Sequence, residues 1–495
     1  MDWLKWMLLV EGLGLAVLPL TWHALHRLPS RGLAYAKPFA ILLVGLIAWL
    51  LPSLRIAPYS RELLLVTVAV STLMIWLVWG KALIISLLRL RRAEVALLVL
   101  LSLIFWASAA WQAYLFALYP SIAVSEKPMN FAFVNAVNRS AWFPPEDPWF
   151  AGHPVNYYYL GHLLIAYLIR LAHVRAAVGF TLAGATLVAL LAATLFALVV
   201  DIVLSWSWQL GRPWSRATLL LATTVGIGAL WMTFFTGNLV PLAVSLREPQ
   251  VVISWLMQGE PAWWKGPFHA HGRGGLSELP WRTYMLGYLH SFGIAMLYVV
   301  TMVGWCAHGW TKSYPSPDAR IAFMGGRAWW ITFSLLWSGA VLISPWVFPV
   351  TLLLAGVLVL PLLSRRSSAD GDRWRTFTRW AAPLLKLALP FTLLVLLLAL
   401  FARDYQAPPL KLQLDPASAV AIPLTTFLLQ SGVKLALVGV LLGVRLAGFP
   451  WRRHGVWAAI AALPLGIAVY QGWIGGAAAI SLLLLGLLLL AAGWR

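Results

Sequence analysis

The segment from Pro144 to His162, PPEDPWFAGHPVNYYYLGH, combines two acids, two histidines, an amide and three consecutive tyrosines just before an apolar stretch. Adjacent carboxylates such as Glu146 and Asp147 can bind a hard divalent cation, or can act as a general base with an orienting partner. The same pair can instead cap a turn before Pro148. Spacing alone leaves both interpretations open.

Three polar residues, His153, Asn156 and His162, lie where this loop meets the apolar segment. Polar side chains at a bilayer boundary lose hydration energy unless they are paired or face water, so they are candidate functional residues. Three tyrosines lie among them: Tyr157, Tyr158 and Tyr159. Successive residues of a helix point about 100° apart, so we expect one or two tyrosines to face a cavity and the rest to face lipid headgroups.

A second polar stretch, residues 259–290, gathers basic side chains among glycines and tryptophans. Arginine forks and backbone N–H groups in a glycine-rich turn suit a phosphate or pyrophosphate, and ordinary anchoring to lipid headgroups is the alternative. His269 and His271 could contact a metal only in an extended loop. No compact metal motif is present, so the cofactor is unknown, with a divalent cation as one option.

The amino-acid composition indicates that most of the chain lies in a lipid bilayer. The chain has 495 residues, of which 61% are hydrophobic and 11% charged, so the bilayer must surround most of it. The formal charge of +20 falls in short runs between apolar segments, which indicates positive-inside topology and not nucleic-acid binding. The single cysteine, Cys306, excludes intrachain disulfides and metal sites built on several cysteines. The predicted fold class is an all-α polytopic membrane protein.

Roughly fourteen segments are apolar enough to span. They lie near residues 6–22, 38–54, 62–80, 94–118, 156–172, 178–204, 218–236, 284–307, 328–344, 347–364, 381–402, 423–444, 456–471 and 475–493. Basic loops predicted to be cytoplasmic leave three long loops outside: 119–155, 237–283 and 403–422. If 156–172 and 178–204 both crossed fully, the loop with Arg212 and Arg216 would face outward. The simplest solution is that 156–172 lies at the interface or enters only partway, leaving about thirteen full spans; a kinked or split 237–258 is the alternative.

The first loop resembles a known family signature. EKPMNFAFVNAVNRS, followed by FPPEDPWFAGHPVNYYYLGH, resembles that of the YYY-type integral membrane proteins, which are similar to the GT-C glycosyltransferases. Later segments resemble further family blocks in the same order: GNL at 237–239, SELPWRTYMLGYLHSF at 277–292, ISPWVFP at 343–349 and IPLTTFLLQSG at 422–432. The resemblance spans residues 94–445, with N-terminal helices at 1–93 and C-terminal helices at 446–495.

The resemblance implies a GT-C-like bundle of about thirteen transmembrane helices with long outer loops. It also implies a sugar taken from a polyprenyl phosphate, a glycan or protein acceptor, membrane lipids as neighbours and the plasma membrane of a prokaryote. Such enzymes use a carboxylate of the first outer loop as base or metal anchor. In this interpretation Arg273 and Arg282 hold the lipid phosphate, while the tyrosines, with Trp142 and Trp149, line the sugar or acceptor groove.

The chain departs from the family pattern at Asn130, Tyr288 and Val347, where the family has Asp. An amide cannot take a proton at neutral pH, which leaves Glu126, Glu146, Asp147 or Glu278 to substitute. The predicted catalytic residues are Glu146, Asp147 and Glu126. The predicted substrate-binding residues are Asn130, His153, Asn156, Tyr157, Tyr158, Tyr159, His162, Arg273, Glu278, Arg282 and His290.

Loss of the family acids raises a second hypothesis, a non-catalytic lipid-binding or assembly subunit on the same scaffold. A transporter is a third class, for which the sequence shows no paired intramembrane charges, no inverted repeat and no matching pair of interrupted helices. The sequence does not identify the sugar, the acceptor, the metal requirement or the oligomeric state.

Overall fold

The computed structural model describes residues 1–118, 126–209, 214–234, 289–310, 319–363 and 373–403, with single residues 122, 287 and 405. The chain divides into two compact units, and the statements below concern the unit formed by Met1–Trp231 and Thr283–Ala407. The predicted segments beyond residue 405, and with them the proposed domain layout, lie outside the described residues.

The prediction of an all-α membrane protein is confirmed. In the described residues the only β contact is an isolated bridge between Glu146 and Pro154. The helices are α1 (Asp2–Ala24), α2 (Leu33–Ser53), α3 (Arg61–Ile75), α4 (Lys81–Leu88), α5 (Arg92–Leu118), α6 (Lys127–Arg139), α7 (Leu160–Ala172), α8 (Ala176–Gln209), α9 (Arg216–Phe234), α10 (Ser291–Trp310), α11 (Ala319–Ile343), α12 (Phe348–Leu363) and α13 (Arg373–Ala402). A π-helical turn, Trp76–Gly80, joins α3 to α4.

Six stretches of the described chain are long and apolar enough to cross a membrane: α1, α2, α3 with α4, α5, α8 and α10. A crossing helix needs about 20 mostly apolar residues, and these stretches have between 19 and 33 residues. The chain is therefore an integral membrane protein. The large apolar side chains on α3 and α5 that remain exposed, such as Leu73 and Leu103, fit contact with lipid.

Polar contacts hold together the end of the bundle that the basic loops predict to be cytoplasmic. Arg31, in the α1–α2 connection, donates to Glu94 at the start of α5 at 2.9 Å. The Ser30 backbone N–H and hydroxyl both donate to the fully buried Asp201 carboxylate of α8, each at 2.7 Å. Because a buried carboxylate needs such donors, these bonds fix the register of α8 against the first two helices.

An ion pair inside the first two spans corrects the expectation that none is present. Lys37 Nζ of α2 lies 3.1 Å from Glu11 Oε1 of α1, and the same ammonium lies 4.3 Å from the Phe105 ring centroid of α5. The partners come from different helices, so hydropathy along the chain could not reveal the pair. It joins three helices, and intramembrane charges are stable only when paired in this way.

Helix α7 does not cross the bundle. It has 13 residues, which at 1.5 Å per residue is about 20 Å, short of the ~30 Å apolar core of a bilayer. Trp49 Nε1 donates to the Tyr159 hydroxyl at 3.0 Å, and Arg170 donates to the Tyr59 carbonyl at 2.8 Å. Trp49 and Tyr59 flank the C-terminal end of α2, so both ends of α7 contact the same end of the bundle. This geometry agrees with partial entry.

Replacing Gly304 with Ala is expected to destabilise the protein by about 1–3 kcal/mol, because α10 approaches α2 closely at this position. An added Cβ would lie 2.5 Å from Cε1 and 2.7 Å from Cζ of the buried Tyr35 ring, which cannot move aside. Gly12→Ala is the matched control, since nothing lies within 4 Å of its Cβ position. Thermal unfolding in detergent measures both; equal melting temperatures would contradict the close approach.

Candidate functional site

Helix α6 forms one side of the site and runs parallel to α7. Helix α6 lies in the first outer loop, with Pro128 in its first turn, where no N–H bond is lost. Near the start of the two helices His162 contacts Asn130, and near their ends Arg170 donates to the Asn138 carbonyl. Both pairs are separated by 32 residues, so the two helices keep one register along their length.

A buried amide and imidazole join α6 to α7. Asn130 and His162 are both fully buried, and His162 Nε2 lies 2.9 Å from Asn130 Oδ1. The other side of the amide, Nδ2, has no hydrogen-bond partner among the described residues. Burial, with a smaller contribution from His290, lowers the pKa of His162, so its ring is neutral at physiological pH. The pair is therefore polar but uncharged.

A carboxylate, an imidazole and a phenol meet where α6 and α10 begin. The Phe292 backbone N–H donates to His290 Nδ1 at 3.1 Å, so a neutral ring carries its proton on Nε2. That nitrogen lies 2.9 Å from the Tyr157 hydroxyl and 3.8 Å from Glu126 Oε2. The Glu126 side chain is 53% exposed, so it can meet a ligand. Burial, assisted by Tyr158 and Glu126, raises the pKa of Tyr157 and keeps its hydroxyl protonated.

Stacked rings form a wall beside this carboxylate. Phe133 of α6 stacks on Tyr157 at 5.1 Å between centroids, and Tyr157 stacks on Tyr158 at 4.0 Å. The exposed Trp149 contacts the other side of Phe133 edge-on at 5.4 Å. Tyr159 is buried and points away, stacking on Phe401. Two tyrosines thus lie at this site, as expected, whereas the third packs in the bundle instead of facing lipid headgroups. All three precede α7, so the 100° helical spacing does not set their directions.

Glu146 and Asp147 both bond the backbone of their own loop. Glu146 Oε1 accepts from the Gly152 N–H at 2.8 Å. Asp147 Oδ1 accepts from the N–H groups of Trp149 and Phe150 at 2.8 and 3.1 Å, which forms a closed turn. This geometry corresponds to the turn interpretation of the two acids, and their catalytic role stays a prediction.

The other predicted residues divide by location. His153 is exposed and stacks on Phe150 at 4.1 Å, and Asn156 is exposed. Val347, at one of the three departures from the family pattern, is buried in the 3₁₀ turn Pro345–Val347. Arg273, Glu278, Arg282 and Tyr288 lie outside the described residues. Within the part of the chain that the structure describes, no group of three or more His, Cys, Asp or Glu side chains could hold a metal.

Three contributors to the site were not predicted. Phe133 could have been found, because it follows Asn130 by three residues and so lies on the same face of α6. Ser291, whose hydroxyl donates to the Tyr158 carbonyl at 3.1 Å and lies 3.5 Å from His162 Nδ1, carries no signal in the sequence. Arg170, near the end of α7, bonds two backbone carbonyls, and the sequence carries no sign of these contacts.

Six helical stretches long enough to span, the short apolar helix α7 and a carboxylate-imidazole-phenol site at one end of the bundle define a polytopic integral membrane protein with a candidate polar site. The sequence matches the family DUF2298, described as an uncharacterized membrane protein, over residues 43–495, and the chain belongs to that family. No curated protein and no solved structure matches the chain.

Proposed function

We propose that this protein is a GT-C-like membrane glycosyltransferase that takes a sugar from a polyprenyl phosphate at the outer membrane face of a prokaryotic plasma membrane. The observation that carries the proposal is the exposed Glu126 carboxylate, held beside His290 and the stacked Tyr157 at the end of the bundle. The acceptor is a glycan or a protein. The resemblance of the first outer loop supplies the sugar and lipid chemistry.

In the proposed reaction Glu126 acts as the general base. Its carboxylate takes the proton of an acceptor hydroxyl, and that oxygen forms a bond to the anomeric carbon of the sugar. The bond from this carbon to the phosphate oxygen breaks, and the lipid phosphate leaves with the electron pair. Hydrogen bonding to Tyr157 fixes the His290 ring, which limits where the carboxylate can lie. Glu126 is favoured over Glu146 and Asp147 because, among the described residues, its carboxylate accepts no backbone N–H group of a turn, whereas theirs do.

The stacked rings suit the sugar. A pyranose has one apolar face that packs on aromatic rings. Tyr157 is stacked between Phe133 and Tyr158, so the sugar is proposed to pack on Tyr158, at the outer end of this stack. Trp149, 61% exposed, extends this surface outward through Phe133. Arg273 and Arg282 are proposed to bind the phosphate, on the sequence argument alone.

Asn130 favours the second candidate, a non-catalytic lipid-binding or assembly subunit. The amide replaces an acid of the family pattern, is fully buried and is bonded to His162. Such a residue holds two helices together and cannot accept a proton. The scaffold would then keep its lipid site while the chemistry is lost.

A binding and turnover experiment separates the two candidates. Purified protein in nanodiscs would be loaded with a polyprenyl-phosphate hexose and then mixed with acceptor glycans or peptides, and free polyprenyl phosphate would be followed by mass spectrometry. The transferase should bind the donor and release polyprenyl phosphate only with acceptor. Binding without release would favour the subunit, and no binding would reject both.

A further inference from the structure

The turn at the tip of the first outer loop presents two large aromatic side chains. Trp149 is 61% exposed and Phe150 is 62% exposed, next to each other at residues where the loop reverses direction. Gly152 has φ +80°, a left-handed conformation that a residue with a side chain rarely adopts, and it closes the turn. Two neighbouring aromatic side chains exposed on a closed turn indicate a site of contact with another molecule or with the membrane.

Most backbone N–H groups of this turn are bonded within the loop. Six N–H groups donate to acceptors within the loop: those of Asp147, Trp149, Phe150, Gly152, His153 and Val155. Pro148 and Pro154 have no N–H group to satisfy. The two acids supply three of these bonds through their carboxylates, at Trp149, Phe150 and Gly152. Little of the donor capacity of the turn therefore depends on water.

A loop built in this way suits the boundary between headgroups and acyl chains. Unpaired backbone donors cost several kcal/mol each where water is scarce, which excludes most loops from that zone. Trp is enriched there because its ring is apolar and its N–H is polar, and Phe adds apolar area. The bonded backbone N–H groups and the exposed Trp and Phe side chains occur together between Asp147 and Val155.

We propose that the Trp149–Phe150 turn inserts into the interfacial region of the outer leaflet and anchors the first outer loop to lipid. A protein partner fits less well, since two aromatic side chains bury on the order of 300–500 Å², against about 800 Å² per partner in a stable interface. Trp149 contacts Phe133, and Phe133 stacks on Tyr157. Insertion of the turn would therefore place the candidate site at the level of the lipid headgroups. This inference does not depend on sugar transfer.

Spin labelling tests the insertion, because the single cysteine, Cys306, is fully buried and should not react. Phe150→Cys would be labelled with a nitroxide in nanodiscs of phosphatidylcholine and phosphatidylglycerol, with unreplaced protein as the background. Arg139→Cys, at the exposed end of α6, is the matched control in the same loop. Collision of each label with oxygen, which concentrates in lipid, is compared with collision with a nickel chelate, which stays in water.

The oxygen-to-nickel accessibility ratio is expected to be severalfold higher at 150 than at 139. A label at 150 that nickel reaches as readily as at 139 would overturn the proposal, and so would a label that neither reagent reaches, which would mean that protein covers the turn. Trp149→Cys provides a second measurement if Phe150→Cys does not fold. Because Trp149 is equally exposed, it should give the same ratio.

Discussion

Replacing Glu126 with Gln is expected to reduce sugar transfer by roughly 10²- to 10⁴-fold, the usual contribution of a general base. Gln keeps the size and polarity of Glu, but it cannot take the proton of the acceptor hydroxyl. Donor binding should change little, since the stacked rings and not the carboxylate hold the sugar. The loss should therefore appear in the rate of the loaded enzyme and not in the affinity for donor.

The controls for this substitution come from the same end of the bundle. Glu62→Gln removes an exposed carboxylate in the first turn of α3 and should leave transfer unchanged. Glu146→Gln and Asp147→Asn keep an oxygen for the bonded N–H groups, so they test the competing assignment of the base. Normal transfer by Glu126→Gln, combined with loss in either of these two variants, would move the catalytic role to the turn.

Replacing Arg170 with Ala is expected to destabilise the protein by about 3 kcal/mol or more, the largest structural effect we predict. The guanidinium donates to the Tyr59 carbonyl at 2.8 Å and to the Asn138 carbonyl, and it lies 4.3 Å from the Tyr59 ring centroid. Each bond from a charged donor contributes about 1.5–3 kcal/mol, and the two carbonyls would lose their partner together. Since Arg170 joins the ends of α6 and α7, the contact between Asn130 and His162 should also loosen.

Thermal unfolding and hydrogen exchange over α6 measure this effect. Arg170→Lys keeps the charge but lacks the planar fork that reaches two carbonyls, so an intermediate loss is expected. Arg175→Ala, an exposed arginine just before α8, is the matched control and should melt like the unreplaced protein. If Arg170→Ala melted at the control temperature with unchanged exchange in α6, the arginine would not be the link between the two helices.

Much of the helix pattern follows from the sequence. The segments near 38–54, 94–118 and 178–204 correspond to α2, α5 and α8, with ends that differ by five residues or fewer. The length of an apolar segment is enough to predict these helices, because in lipid each helix must satisfy its own backbone hydrogen bonds. The apolar segment 62–80 continues through the π-helical turn to Leu88, because the single Lys81 does not end the helix and the basic run begins only at Arg89.

The short length of α7 fits a prediction that the sequence makes less directly. The positions of the basic loops favour partial entry of 156–172, with a kinked 237–258 as the alternative, and the observed helix of 13 residues starts only after the tyrosines, at Leu160. Its depth in the bilayer stays a prediction. The tyrosine triplet thus precedes the helix, and Tyr157 and Tyr158 take their orientation from stacking and not from helical spacing. The sequence of 156–172 could predict partial entry into the bilayer, but it could not predict the conformation of the three tyrosines.

The pairings within the site could not be read from the sequence. His162 bonds Asn130 from 32 positions away, and Tyr157 bonds His290 from 133 positions away. Both depend on which faces α6, α7 and α10 present to one another, and a single sequence contains no information about those contacts. The family pattern identified Asn130 as a departure, but only the structure shows that it is a buried link to His162.

The most direct test is a cryo-electron microscopy structure of the protein in nanodiscs with a bound polyprenyl-phosphate sugar. We predict density for the sugar against Tyr157 and Tyr158, with its anomeric carbon near Glu126 and the lipid chain leaving toward the bilayer beside Trp149. Donor density at the opposite end of the bundle, near Asp201, or density that leaves Glu126 without contact to the sugar or its acceptor, would contradict the proposed transfer site.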